Sequence, residues 1–480
     1  MKTLSGVDGA FLHLETPETP MHVASLHLYD LPPGRRRDFH AAMKRQLRSR
    51  LAATPVLTRR LAPMPLQFAN PVWVEADEVD LDWHVQRVVL PPPGTQEQLE
   101  ACAARLHGEL LDRTRPLWRL YVIDGLHSGQ AAYYIKVHHA VLDGQAGVML
   151  GLALCDLEAR PPARQRIPPR AAEHPGIAAL AASALRHDAG QYVKLLRLPD
   201  VVRSLAGLFA PPPREARGRL GQNFGFGPRT ALNVPIDGER TFAAATLPLA
   251  ELKALAHAHD AKLNDIVLAL CSGALRRWLA AHGGIPKKPL IASMPISLRA
   301  AGNAEYTTQA TLSLVNLHTH RADPVQRLHA IRDGALAVKT LAQRARGVIP
   351  TDFPSIGSPW LLHSLATLYG RSGAARAVPP IANVVISNVP GPTVPLYAAG
   401  ARMATYWPMS IVEHGVGLNV TVMSYAGTLC FGFTAARCAV PDAGELVRAL
   451  REAFDELVAR SATKPARRRT PRGAAGTRPG

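Results

Sequence analysis

The stretch YYIKVHHAVLDGQAG, residues 133–147, commits the chain to one local arrangement. Its β-branched and aromatic residues favour a strand that ends at the histidines. Gly144 and Gly147 then bracket the approach to an apolar run, GVMLGLALCDL, that suits a helix. Side chains alternate across a strand, so His138 and His139 are expected to point to opposite faces. Only one of the two can readily reach a given site.

A neutral imidazole accepts a proton from an alcohol or amine near pH 7, and such a base is typically worth about 10²- to 10⁴-fold in rate. The second histidine can then support the turn. Asp143, four positions beyond His139, could hold the loop by pairing with a distant arginine, given a buried partner. A zinc site would want a third ligand at a recognisable spacing, and no HExxH arrangement is present. A serine hydrolase would want a GxSxG elbow, also missing from the sequence. Two histidines packed into a turn are the ordinary outcome for a random pair. The pattern HHxxxDG weighs against that outcome, because four fixed residues in seven, two of a scarce type, seldom coincide.

At 480 residues the chain is too long for one ordinary core, which suggests two domains. With 47% hydrophobic and 19% charged residues it reads as a folded protein rather than a disordered one. Its longest apolar runs, such as GIAALAASAL and IVLALCSGAL, stop short of the roughly 20 residues of a membrane-spanning helix. Asp8 and His13 interrupt the place where a secretory signal would need an apolar core, so a cytoplasmic location is expected. Cysteines 102, 155, 271, 430 and 438 show no CxxC spacing and read as small core residues.

The net charge of +18 is unevenly placed. Residues 160–230 hold twelve Lys/Arg against four Asp/Glu, and residues 461–480 hold six against none, leaving +4 for the other 389 residues. Charge confined to these two segments, with little aromatic interleaving, ranks a nucleic-acid partner last.

Texture divides the chain into residues 1–170, 171–220, 221–460 and a basic tail, 461–480. The 171–220 segment interleaves Leu185, Leu195, Leu196, Val201, Val202, Leu205 and Leu208 with Arg186, Lys194, Arg197 and Arg203, and its prolines are expected to cut it into short helices and a linker. It reads either as a bridge packed across two domains or as a basic amphipathic surface that rests on anionic lipid. Further on, NDIVLALCSGALRRWLAAH predicts a helix and PLIASMPISLR and NVVISNVPGP predict strands. LNVTVMSYAGTLCFGF predicts two strands around Ala426-Gly427, and AGELVRALREAFDELVAR an amphipathic helix. The tail has no apolar residues for a core and reads as disordered.

Several of these segments are explicable by structure alone. Asn264 stands at an expected helix start as a cap, with Asp265 in the positive first turn. Leu117 and Trp118 after Pro116 suit a well-packed strand entrance, and Pro390-Gly391-Pro392 an abrupt turn.

In combination, and in this order and spacing, they resemble something more specific. LSGVDGAFLHLETPETPMHV, RPLWRLYVIDGL, HHAVLDG, LNDIVLALCSGALRRWL and NVVISNVPGP together resemble the bacterial wax ester synthase/diacylglycerol acyltransferases, within the wider group of HHxxxDG CoA-dependent acyltransferases. The resemblance runs from about residue 4 to 458. It implies an α/β fold of two chloramphenicol acetyltransferase-like domains with a tunnel between them, and His139 near the middle. His139 would take the hydroxyl proton of an acceptor as its oxygen attacks the thioester of an acyl-CoA, with no acyl-enzyme, metal or cofactor required. His138, Asp143 and Gly144 would support it. Pro116, Leu117, Trp118, Asn264, Asp265, Asn388, Pro390 and Gly391 would shape the site. By analogy Arg299 is the partner expected for Asp143.

The implied acceptor is a diacylglycerol or a fatty alcohol, and peripheral contact with an anionic membrane or lipid droplet would give the basic 171–220 segment a purpose. Two rival readings are an HHxxxDG enzyme with another acceptor, such as a complex lipid alcohol or an amine, and a non-catalytic lipid-binding protein of the same fold.

Overall fold

The structure, a computed structural model, describes residues 2–4, 6–32, 39–62, 64, 70–162, 167–168, 170–196, 226–297, 310–345, 368 and 379–462. Two large mixed sheets dominate it. In the first, Ala131–His138 lies between His22–Asp30 and Trp118–Asp124 and runs antiparallel to both, with Val85–Val89 parallel to Trp118–Asp124 beyond. All eight residues of Ala131–His138 are buried. A strand covered on both faces needs no polar alternation, which is why YYIKV could carry aromatic and aliphatic residues in succession.

The second sheet orders its strands as Ala310–Asn316, Ile291–Ser297, Val384–Val389, Leu418–Tyr425, Thr428–Ala436 and Arg240–Pro248. Leu418–Tyr425 and Thr428–Ala436 form the expected hairpin. Its turn residues Ala426 and Gly427 have φ of 43° and 85°, the left-handed pair that matches strand twist in a two-residue loop. Helices Leu263–Ala281 and Gly444–Ala462 cover one face. Leu446, Leu450 and Leu457 bury there with Phe454, and each fully buried leucine contributes about 2 kcal/mol. The strand NVVISNV splits accordingly, with Val384 and Ile386 in this core and Val385 and Ser387 facing the opposite way.

One stretch departs from the contiguous division expected from sequence. After Val384–Val389 the chain leaves the second sheet, and Ala401–Met403 and Trp407–Met409 pair with His22–Asp30 of the first. They cover what would otherwise be an open strand edge. Where Trp407–Met409 crosses the second sheet, the backbones come so close that a Cβ on Gly432 would overlap the Pro408 carbonyl oxygen. The two halves are thus laced together through residues 397–409.

Of the 171–220 segment, residues 171–196 are described, and they hold one 20-residue helix, Ile177–Leu196, while Pro199 and the prolines at 211–213 expected to punctuate the segment lie outside the described residues. Its Leu180 packs with Met64, Val72 and Val74 beside a small three-stranded sheet, while Ile177 and Leu185 are 74% and 72% exposed. Residues 197–225 and the tail from 463 lie outside the described residues. No described helix is long and apolar enough to cross a membrane. Cys155, Cys271 and Cys430 are buried as expected of small core residues and Cys102 is half-buried. Cys438 departs from that reading: it sits exposed on a turn after Thr428–Ala436.

Candidate active site

The strand Ala131–His138 ends at the histidine pair, and the two side chains part as the pleat requires. His139 enters a cavity of about 640 Å³ between the two sheets. His138 turns away and is fully buried, with Nε2 3.3 Å from Glu15 Oε1. The His139 imidazole is stacked on Phe11, ring centres 4.0 Å apart, which fixes its plane. Burial pushes its pKa down to about 4, although the nearby charge of Asp143 works the other way. At neutral pH the ring is therefore neutral and in its proton-accepting form. Nδ1 is sealed against protein atoms, so Nε2 is the nitrogen left to face the cavity.

Asp143 caps the following helix, Gly144–Leu154, by accepting the Ala146 N–H at 2.8 Å. Gly144 opens that helix with ordinary backbone geometry, and its lack of a side chain serves a contact. A Cβ there would press to 3.2 Å of Val389 Cγ2, from the second sheet. Arg299, the expected partner of Asp143, lies outside the described residues.

A second histidine, His27, also lines the cavity, stacked against Tyr133 at 5.1 Å. Its Nδ1 is 3.3 Å from the Thr405 carbonyl oxygen and its Nε2 2.7 Å from Ser25 Oγ. A carbonyl can only accept, so Nδ1 carries the proton and the Ser25 hydroxyl donates to Nε2. Both nitrogens of His27 are occupied, whereas Nε2 of His139 is open to a ligand.

The opposite wall comes from the second sheet. Val385 and Ser387 lie beside Asn419 and Thr421 in parallel register, and Asn388, Val389 and Pro390 close one end. Asn388 Nδ2 donates to Asn264 Oδ1 at 3.3 Å, which joins two of the expected site residues across the sheet and helix. Asn264 does not cap its helix, contrary to the sequence reading. The helix starts at Leu263 with Lys262 as its cap residue, and buried Asp265 reaches back to accept the Lys262 N–H at 2.8 Å. Asp265 has taken the end of the helix and left Asn264 to face Asn388.

Pro390 lines the cavity, and Gly391 passes so close to the next strand that a Cβ would overlap the Ser424 carbonyl oxygen, while its N–H donates to Ser424 Oγ at 3.1 Å. Pro116, Leu117 and Trp118 are buried but do not line the cavity. Trp118 Nε1 donates to the Leu57 carbonyl, its ring stacks on His84, and the Leu117 carbonyl accepts the His138 N–H at 3.0 Å. They support the motif strand from behind. Sequence reasoning missed Phe11, Glu15, Ser25 and His27. Phe11 and Glu15 fall within LSGVDGAFLHLETPETPMHV, but nothing local in that segment connects it to a histidine pair more than a hundred residues on.

Comparison with known proteins shows the family. Residues 4–267 match the wax ester synthase/diacylglycerol acyltransferase catalytic domain, and residues 308–458 match the C-terminal domain of the same family. A Mycobacterium tuberculosis protein named as a diacylglycerol O-acyltransferase is 36% identical over 459 residues, 95% of this chain and 99% of that one. The solved wax ester synthase/diacylglycerol acyltransferase from Marinobacter aquaeolei VT8 is 28% identical, with a TM-score of 0.68 over 96% of this chain and 100% of that one. The starter condensation domain of rhizomide synthetase RzmA, solved with C8-CoA and Leu-SNAC, shares the fold at 13% identity, with a TM-score of 0.56 over 96% of this chain and 94% of that one. The chain belongs to the wax ester synthase/diacylglycerol acyltransferase family, with the two-domain condensation-type fold that goes with it.

Proposed function

We propose that this acyltransferase moves a long-chain acyl group from acyl-CoA to the hydroxyl of a diacylglycerol, a long-chain alcohol, or both, with His139 as general base. One observation carries the reading: His139 presents a free, neutral ring nitrogen to a largely apolar cavity between the two sheets. His139 Nε2 removes the hydroxyl proton as the acceptor oxygen attacks the thioester carbonyl. The tetrahedral species collapses with loss of the CoA thiolate, which leaves as the thiol after taking up the proton held by His139. No covalent enzyme intermediate is needed. In this reading acyl-CoA enters the cavity from one side and the acceptor from the other.

The test is ester formation from palmitoyl-CoA with diolein or hexadecanol, read by lipid chromatography. His139→Ala is expected to lower turnover by at least about 10²-fold in folded protein. Near-normal turnover would overturn the assignment.

The precursors of such products reside in membranes or droplets, and the helix Ile177–Leu196 has exposed Ile177 and Leu185 beside Arg186. In our reading the 171–220 segment bridges the lobes 1–170 and 221–460 and rests on anionic lipid from the cytoplasmic side. Sedimentation with vesicles should then increase with anionic lipid and fall with salt, and indifference to both would count against it.

A further inference from the structure

The N-terminal segment reaches His139 by a hydrogen-bonded path and by a side-chain contact, which meet on one atom. Glu15 is buried. Its Oε1 accepts the Met21 N–H at 3.1 Å, and the Met21 carbonyl accepts the His139 N–H at 2.8 Å. The same Oε1 faces His138 Nε2 at 3.3 Å. On the far side of that ring, the Ala140 N–H donates to His138 Nδ1 at 3.1 Å. A backbone N–H can only donate, so Nδ1 is the bare nitrogen and the ring proton is on Nε2, the nitrogen 3.3 Å from Glu15 Oε1. Glu15 therefore holds the peptide groups on both sides of His139.

Arg113 sets Glu15 in turn. Its Nε and Nη2 donate to Glu15 Oε2 at 3.1 and 2.8 Å, which leaves Oε1 for Met21 and His138. Nη2 also donates to the Leu12 carbonyl at 2.6 Å, on the helix Gly6–Leu14 that carries Phe11 onto the His139 ring. Burial acts to raise the Glu15 pKa, but the contacts with His138 and with the charged, hydrogen-bonded Arg113 outweigh it and hold the carboxyl at about 2. It stays ionised across the working range of pH.

We propose that Glu15, oriented by Arg113, is a positioning residue for acyl transfer: it fixes the Nε2–H tautomer of His138 and the backbone on either side of His139. The proposal rests on the reading of His139 as the base for its kinetic consequence, and on hydrogen-bond geometry alone for the tautomer. An error of about 1 Å in the place of a catalytic group can cost on the order of 10²-fold, so loss of the path and the contact should appear in kcat. A carboxamide at position 15 keeps an oxygen for the Met21 and His138 donors, so Glu15→Gln should be the milder change.

The experiment has two arms on the full chain. Nitrogen NMR of histidine-labelled protein, with His138 assigned from the signals lost in His138→Gln, reads the tautomer. A bare Nδ1 and a protonated Nε2 are expected, and the reverse overturns the proposal whatever His139 does. Kinetics with palmitoyl-CoA read the consequence. Glu15→Ala is expected to lower kcat by at least about tenfold with KM for acyl-CoA within about threefold, and Glu15→Gln to recover most of that loss. Wild-type kcat in folded Glu15→Ala, or a loss carried by KM alone, overturns the proposal. Should the alanine variant fail to fold, Glu15→Gln and the tautomer measurement still decide it. A His139→Ala enzyme that remained active would instead remove the base assignment and leave the tautomer result standing.

Discussion

On the wall made by the first sheet, the cavity meets His139, His27 and Tyr133; on the wall made by the second, it meets Ser387, Asn388, Asn419 and Thr421. The first wall carries groups that can move a proton, and the second carries neutral amides and hydroxyls. The packing beneath them differs in the same sense. Behind His139 lie an ionised carboxylate and an arginine, Glu15 and Arg113, whereas behind Asn388 lie Asn264 and a capped helix start. Under the proposed mechanism, proton transfer belongs to one half of the molecule and the shape of the site to the other. It also separates the two cavity histidines, since His27 spends both ring nitrogens on Thr405 and Ser25.

Two substitutions would sharpen or break that division. The larger effect should come from Asp143→Ala on the first wall. It removes the cap of Gly144–Leu154 and a negative charge near His139, so kcat should fall about 10- to 100-fold, with about 1 kcal/mol lost from stability. Paired turnover and denaturation measurements would check both numbers. Asn388→Ala on the second wall breaks one neutral hydrogen bond, worth about 1 kcal/mol, so kcat should fall by less than about tenfold. If the same assay found Asn388→Ala as damaging as Asp143→Ala, the second wall would be taking part in the chemistry and the contrast would fail.

Much of this arrangement was legible in the sequence because it rests on short-range pattern. The strand up to the histidines, the hairpin at Ala426-Gly427 and the helices at 263 and 444 follow from periodicity and turn chemistry. The parting of His138 and His139 follows from the strand period alone. What escaped was set by long-range partners. Ala401–Met403 and Trp407–Met409 are three residues each, too short to show a period, and their place in the first sheet depends on an edge built from residues 22–30. Glu15 meets His138 through a tertiary contact, beside the pairing of Met21 with His139. Asn264 was misread as a cap because Asp265, one residue on, competes for the same helix end and wins by reaching the Lys262 N–H. Gly391 is required by the Ser424 carbonyl and Gly144 is favoured by Val389, neighbours that no local rule identifies.

The central claim is that His139 works as a neutral base kept so by burial. A histidine whose pKa is lowered to about 4 keeps its base form until pH falls through that value. The pH dependence of kcat/KM, measured from about pH 8 down to the limit of folding, reports the pKa of the essential base in the free enzyme. The account predicts a profile with no inflection near 6.5, the ordinary histidine value, and any acid limb displaced toward 4. An acid limb centred near 6.5 in folded protein, lost in His139→Ala, would contradict it.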